Sequence, residues 1–178
     1  TYYDVTFDNG GILYDNNTIN NVSLLDGLLR IESGSTQTMN DLIADGDKYA
    51  TLEIIGLFDG TEGTINITSG IVNIDFVYLE DVHATGGASF TATNSINNGN
   101  TDGWSISGPA SKNYYWIGDG GDWNDPTHWV TASGGMTTHG DYPSRFDNVF
   151  FDANSFTQTG QTVTVNIPDA DSKNMDWA

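Results

Sequence analysis

The chain has 178 residues, enough for one domain or two small ones and for a real core. Its net charge of −19, from 24 acidic and 5 basic residues, repels phosphate backbones and anionic bilayers, so neither nucleic-acid binding nor direct membrane insertion is expected. The absence of cysteine removes disulfides and thiol chemistry, and with only 16% of residues charged the polar surface is mostly Asn, Thr, Ser and Gly, a mixture typical of turn-rich β proteins.

No stretch has the length and apolarity of a membrane-spanning helix, and no secretory signal is recognisable. The opening residues Thr1-Tyr2-Tyr3-Asp4-Val5 read as the interior of a longer polypeptide.

From residue 1 to about 108, apolar residues come in short alternating runs: Val5-Thr6-Phe7, Val22-Ser23-Leu24-Leu25, Leu28-Leu29-Arg30-Ile31, Leu42-Ile43-Ala44, Leu52-Glu53-Ile54-Ile55, Ile65-Asn66-Ile67 and Val72 to Leu79. Each has strand length and most are bounded by Gly, Asn, Asp or Ser. Thr38 to Ile43 is the nearest approach to a helical start, and it soon meets Asp45-Gly46. Val5, Val22 and Leu42 lie 17 and 20 residues apart in similar strands (22 − 5 and 42 − 22). Repeats of that length predict an all-β, parallel β-solenoid or β-helix-like part over 1–108. An antiparallel sandwich is the alternative.

Residues 80–104 close this part, with Phe90 and Trp104 expected to cover the end of the apolar core. Asp81 beside His83 can be drawn as an acid–base pair, although a hydrogen bond that fixes a turn is the preferred reading. The oxygen-rich run from Asn94 to Asp102 suits either a cation or plain Asx turns.

Gly108-Pro109-Ala110-Ser111 reads as a linker, placed at 109–113, and a second, small β-rich part is expected over 114–178, either sandwich-like or an incomplete solenoid. Its strands are predicted at Tyr114 to Ile117, Thr127 to Val130, Asn148 to Asp152 and Thr162 to Ile167, with a further one beginning at Met175-Asp176-Trp177.

The stretch Tyr114-Tyr115-Trp116-Ile117-Gly118-Asp119-Gly120-Gly121-Asp122-Trp123-Asn124-Asp125-Pro126-Thr127-His128-Trp129 is the densest in chemistry, with three of the five tryptophans and three aspartates among glycines. Asp119, Asp122 and Asp125 could surround calcium with oxygens, although the spacing is not that of an EF-hand; solvated Asx turns account for them equally. Asp147 and Asp152 flank a strand at five positions' separation and so fall on opposite faces. Trp116, Trp123 and Trp129 with Tyr142 could stack on a neutral sugar, but packing in a core or at a junction between modules suits rings of this size better. On that reading Phe90, Trp104, Trp116 and Trp129 are the cap and seam residues.

Catalysis finds little support. A polysaccharide lyase needs a strong base beside a uronate, and only Arg30, Arg145, Lys48, Lys112 and Lys173 are available in a chain that would repel such a substrate. No carboxylate pair stands out for glycoside hydrolysis. His83, His128 and His139 are too scattered for a zinc motif. The chain is not expected to be an enzyme.

The 114–129 stretch, followed by Tyr-Pro-Ser-Arg-Phe-Asp-Asn-Val-Phe-Phe-Asp-Ala-Asn-Ser-Phe (142–156) and Asn-Met-Asp-Trp (174–177), resembles the recurring module of very large cell-surface proteins of Bacteroidota, the repetitive gliding-motility adhesins among them. Gly-Ser-Thr-Gln-Thr-Met-Asn-Asp-Leu (33–41), Ala-Thr-Gly-Gly-Ala-Ser-Phe (84–90) and Asn-Ser-Ile-Asn-Asn-Gly-Asn-Thr-Asp-Gly-Trp (94–104) resemble the end of a preceding module. The resemblance implies an extracellular β-rich tandem repeat, exported by type IX secretion, in a calcium-rich setting. Its partners would be adjacent modules of the same chain, and surface polysaccharide or a solid substratum. The cysteine usual before the last motif is replaced around Ser172-Lys173, which argues against a disulfide there.

Overall fold

The computed structural model describes residues 2–178, with side chains from Tyr3 onward; Thr1 lies outside the described residues. The chain divides into two compact units, Thr1–Pro109 and Ala110–Ala178. The described residues are almost entirely β, without an α-helix.

In the first unit consecutive strands do not form hairpins. Each pairs, in parallel, with a strand one circuit away, and the antiparallel sandwich is overturned here because every strand pairing in this unit's described residues is parallel. One ladder takes Tyr2–Phe7, Asn17–Leu24 and Asp41–Ala44, and the bridge from Asp45 to Asp75 carries it on to Ile71–Asp75, Ser89–Thr93 and Trp104–Ile106. A second takes Gly11–Leu13, Leu28–Ile31, Leu52–Gly56, Val77–Glu80 and Ile96–Asn97. The third runs from the start of Asn17–Leu24 through Thr36–Met39 and Gly63–Ile67 to Val82–Gly86. The chain visits the three ladders in the same order until Ile96–Asn97, after which it returns to the first ladder at Trp104–Ile106 with no strand of the third between them.

The register sets Val5 beside Val22 and Val22 beside Leu42, so the spacings of 17 and 20 mark one column of side chains. Later circuits are irregular: the next step on this ladder, Asp45 to Asp75, is 30 residues (75 − 45), which hides the repeat from a reading by spacing. Alternation within each strand turns every second residue inward. Leu29, Ile54 and Leu79 stack in this way and are buried. Each such side chain contributes roughly 1.5–3 kcal/mol over an exposed one. The residues 38–43 are two strands, Thr36–Met39 and Asp41–Ala44, with no helical turn.

In the second unit Asn113–Trp116, Asn148–Phe151 and Asn174–Trp177 form a parallel ladder, and Trp129–Val130 closes one side of it in antiparallel pairing. Gly121–Asp122 pairs in parallel with Val163–Thr164. Asn113, at the end of the expected linker, already belongs to a strand. The strand expected from Thr127 begins only at Trp129, because the Asp125 side chain accepts from the Thr127 N–H and Pro126 opens a 3-10 turn over Pro126–His128. Of the run Thr162 to Ile167 only Val163–Thr164 pairs. The core is aromatic: Tyr114, Trp116, Trp123, Trp129, Val149 and Phe151, backed by Phe156 and Ile167.

Candidate functional site

The 114–129 stretch folds in on its own rings. Trp116 and Trp129 are fully buried and Trp123 is 3% exposed. Trp129 meets Trp116 and Trp123 edge to face, both at 4.9 Å between ring centres. The indole N–H of Trp116 donates to the Asp119 carbonyl at 2.6 Å, and that of Trp129 to the Trp123 carbonyl at 2.7 Å. His128 lies flat on Trp116, 4.4 Å away with 4° between planes, and its Nδ1 meets the Ile117 carbonyl at 2.6 Å. Gly121 permits this approach: a Cβ there would stand 2.3 Å from His128 Nε2. The sugar-stacking platform on Trp116, Trp123, Trp129 and Tyr142 is therefore corrected. Three of its rings have no free face, and Tyr142 is half-buried against the same core.

Trp116 and Trp129, expected at a seam, are core residues of the second unit. Phe90 and Trp104 are register partners on the last strands of the first ladder, with rings edge to face at 5.1 Å.

The three aspartates of the stretch do not converge. Asp119 accepts from the Thr157 backbone and hydroxyl, and these bonds hold its carboxyl below the usual carboxylate range. Asp125 is lowered likewise by the hydroxyl and backbone N–H of Thr127. Asp122 stands exposed on the short strand beside Thr164. The calcium loop at Asp119, Asp122 and Asp125 is thus not assembled, because two of its carboxylates face separate donors of the fold.

Asp147 and Asp152 also serve turns. Asp147 is buried and accepts from the Lys112 N–H and from the Ser144 N–H and hydroxyl; Asp152 accepts from the Asn154 N–H. In the run 94–102, the Asn97 side chain accepts from Gly99 and Thr101, an Asx turn. Asp81 bonds to Gly60 and Asn100, not to His83.

Among the described residues one group of three carboxylates does converge: Asp59, Glu80 and Asp81 present oxygens all within 4.8 Å of one another. They line an open groove with Arg30, Ile55, Gly56 and Leu57. Asp81 sits at the corner between Val77–Glu80 and Val82–Gly86 with φ +53°, its Cβ and carbonyl close against Gly56. Its oxygens hold the Gly60 N–H at 2.8 Å and the Asn100 amide at 2.7 Å. Three carboxylates at this distance are a donor set for a hard cation. Sequence spacing could not find the group, since Asp59 lies more than 20 residues from its partners and only the parallel stacking of circuits unites them.

No protein-family model, curated protein or solved structure matches the chain.

Proposed function

We propose that the chain is a non-enzymatic structural segment of an elongated, repetitive bacterial surface protein, with residues 2–109 wound as a three-sided parallel β-solenoid. The observation that carries this reading is the use made of the reactive-looking residues. Asp119, Asp125, Asp147, His128 and three tryptophans all serve the packing and turns of the units that contain them. What repeats along the first unit is a rung, with parallel ladders visited in the same order up to Ile96–Asn97, and such stacking extends by adding circuits. The role that follows is to keep successive β modules of one chain in line, with adhesive contacts to polysaccharide or a solid surface made by the whole protein.

The calcium part of the reading moves to Asp59, Glu80 and Asp81 and rests on their donor chemistry. The deciding experiment is immunolabelling of intact and permeabilised cells that make the protein, alongside glycan titration of the purified chain. The reading expects label on intact cells and no saturable response to glycans. Label that appears only after permeabilisation would overturn the surface assignment. Saturable glycan binding would favour a carbohydrate-binding module at a site other than the buried tryptophans.

A further inference from the structure

The third ladder of the first unit carries its outward side chains in two straight ranks. On Thr36–Met39, Gly63–Ile67 and Val82–Gly86, alternation buries Gln37, Ile65 and Ala84 and turns the residues beside them to solvent. Register then sets Thr36, Thr64 and His83 in one rank. Thr18, Thr38, Asn66 and Thr85 form the other.

Neither rank contains an acidic residue, a lysine or an arginine, although the net charge of the chain is −19. The other two ladders place charge on their outward columns: Asp4, Asn21 and Asp41 on the first, Arg30, Ile55 and Glu80 on the second. The neutral ranks also lack Tyr, Trp and Phe, the side chains on which a sugar ring would stack.

The threonines of this face are stiff and available. β-Branching restricts each to few χ1 rotamers, so the hydroxyls follow the backbone repeat and lose little further entropy on binding. Those of Thr18, Thr36, Thr64 and Thr85 have no hydrogen-bond partner among the described residues. Thr38 accepts a long bond of 3.4 Å from the Asn66 amide. Neighbouring strands lie about 4.8 Å apart and alternate residues of one strand about 6.6 Å apart, a grid comparable with the oxygen repeats on the prism face of hexagonal ice. The small rotation between stacked repeats keeps such a grid shallow.

We infer that this face binds ice. The argument is complementarity of charge and spacing. An ice lattice is neutral and its oxygens are fixed, so a charged side chain, which orders a hydration shell of its own, fits it poorly. A threonine hydroxyl donates one hydrogen bond and accepts others, as a lattice water does. The methyl group beside it restricts the orientation of the water it touches. The inference stands on the geometry of the first unit and does not require a cell-surface location.

The test follows single ice crystals in a solution of the full chain during slow supercooling. The chain should shape them into facets and arrest their growth over a measurable thermal hysteresis. Thr38→Tyr and Thr64→Lys, which place bulk or charge within the ranks, should abolish both effects while the melting temperature of the protein stays near that of the parent. Thr91→Tyr, at an outward position between the buried Phe90 and Ala92 of the first ladder, should leave both effects intact. Unfaceted crystals that grow without hysteresis at millimolar chain overturn the proposal. Hysteresis that survives Thr38→Tyr and Thr64→Lys, or that Thr91→Tyr removes equally, overturns it as well. Retention on particles of crystalline cellulose or chitin with no effect on ice also overturns it, in favour of a polysaccharide surface.

Discussion

The carboxylate of Asp119 receives the backbone N–H of Thr157 at 2.5 Å and its hydroxyl at 2.7 Å, across 38 residues of chain. The bond ties the glycine-rich turn after Trp116 to the loop after Phe156. An aspartate that looks like a free ligand in the sequence is thus a cross-tie of the fold.

Asp119 should make stability sensitive to acid. Its folded carboxyl is lowered below the ordinary 3.8, so its contribution is fully present above the unfolded value and is lost as pH falls through the lower folded one. Asp125 acts in the same direction through Thr127. Urea midpoints measured from neutral pH down to about 2.5 should fall along an acid limb. Asp119→Asn should flatten that limb, and an unaltered limb would mean that the Thr157 bonds do not form in solution.

Gly56 should not tolerate a methyl group. A Cβ there would lie 2.7 Å from the Asp81 Cβ and 2.8 Å from the Thr61 carbonyl, both fixed by the corner that holds the acidic group. Gly56→Ala is expected to destabilise the chain by about 1–3 kcal/mol in chemical denaturation. A variant as stable as the parent would show that this corner is looser than its contacts imply.

The tryptophans should divide by position. Trp116→Ala removes a fully buried ring and should cost about 3–5 kcal/mol. Trp177→Phe should leave stability nearly unchanged while removing much of the acrylamide-quenchable emission, since Trp177 is the exposed ring and Trp116, Trp123 and Trp129 are buried. Quenching that stays the same in Trp177→Phe would contradict this burial pattern.

Calcium should raise the melting temperature through Asp59, Glu80 and Asp81, and excess EDTA should return it to the metal-free value. The paired substitution Asp59→Asn with Glu80→Gln should remove the calcium increment and spare Asp81, whose bonds to Gly60 and Asn100 hold two turns. A melting temperature indifferent to both ion and chelator would take calcium out of the account.

Legibility in the sequence followed the range of the interaction. The 17- and 20-residue spacings are visible because the first circuits are short, and Val5, Val22 and Leu42 do share a column. Longer turns then break the period. Gln37 shows the limit well. It reads as one more polar residue in a strand, yet it is fully buried, donating to the Asp15 carbonyl and to Ser35 Oγ while accepting from the Asn17 amide. Nothing local distinguishes it from an exposed glutamine.

The sequence by itself determined that the protein is β-rich and acidic and where many of its strands lie, because alternation, turn residues and charge act over a few neighbours. Only the tertiary structure decided that the strands pair in parallel, that the tryptophans turn inward and that Asp59 meets Glu80 and Asp81. A two-residue alternation says which residues share a face, but whether that face is covered depends on strands 13 to 42 residues away, as from Trp116 to Trp129 and from Gly121 to Val163. The same holds for each carboxylate, whose partner is chosen by whichever donor the fold brings within 3 Å.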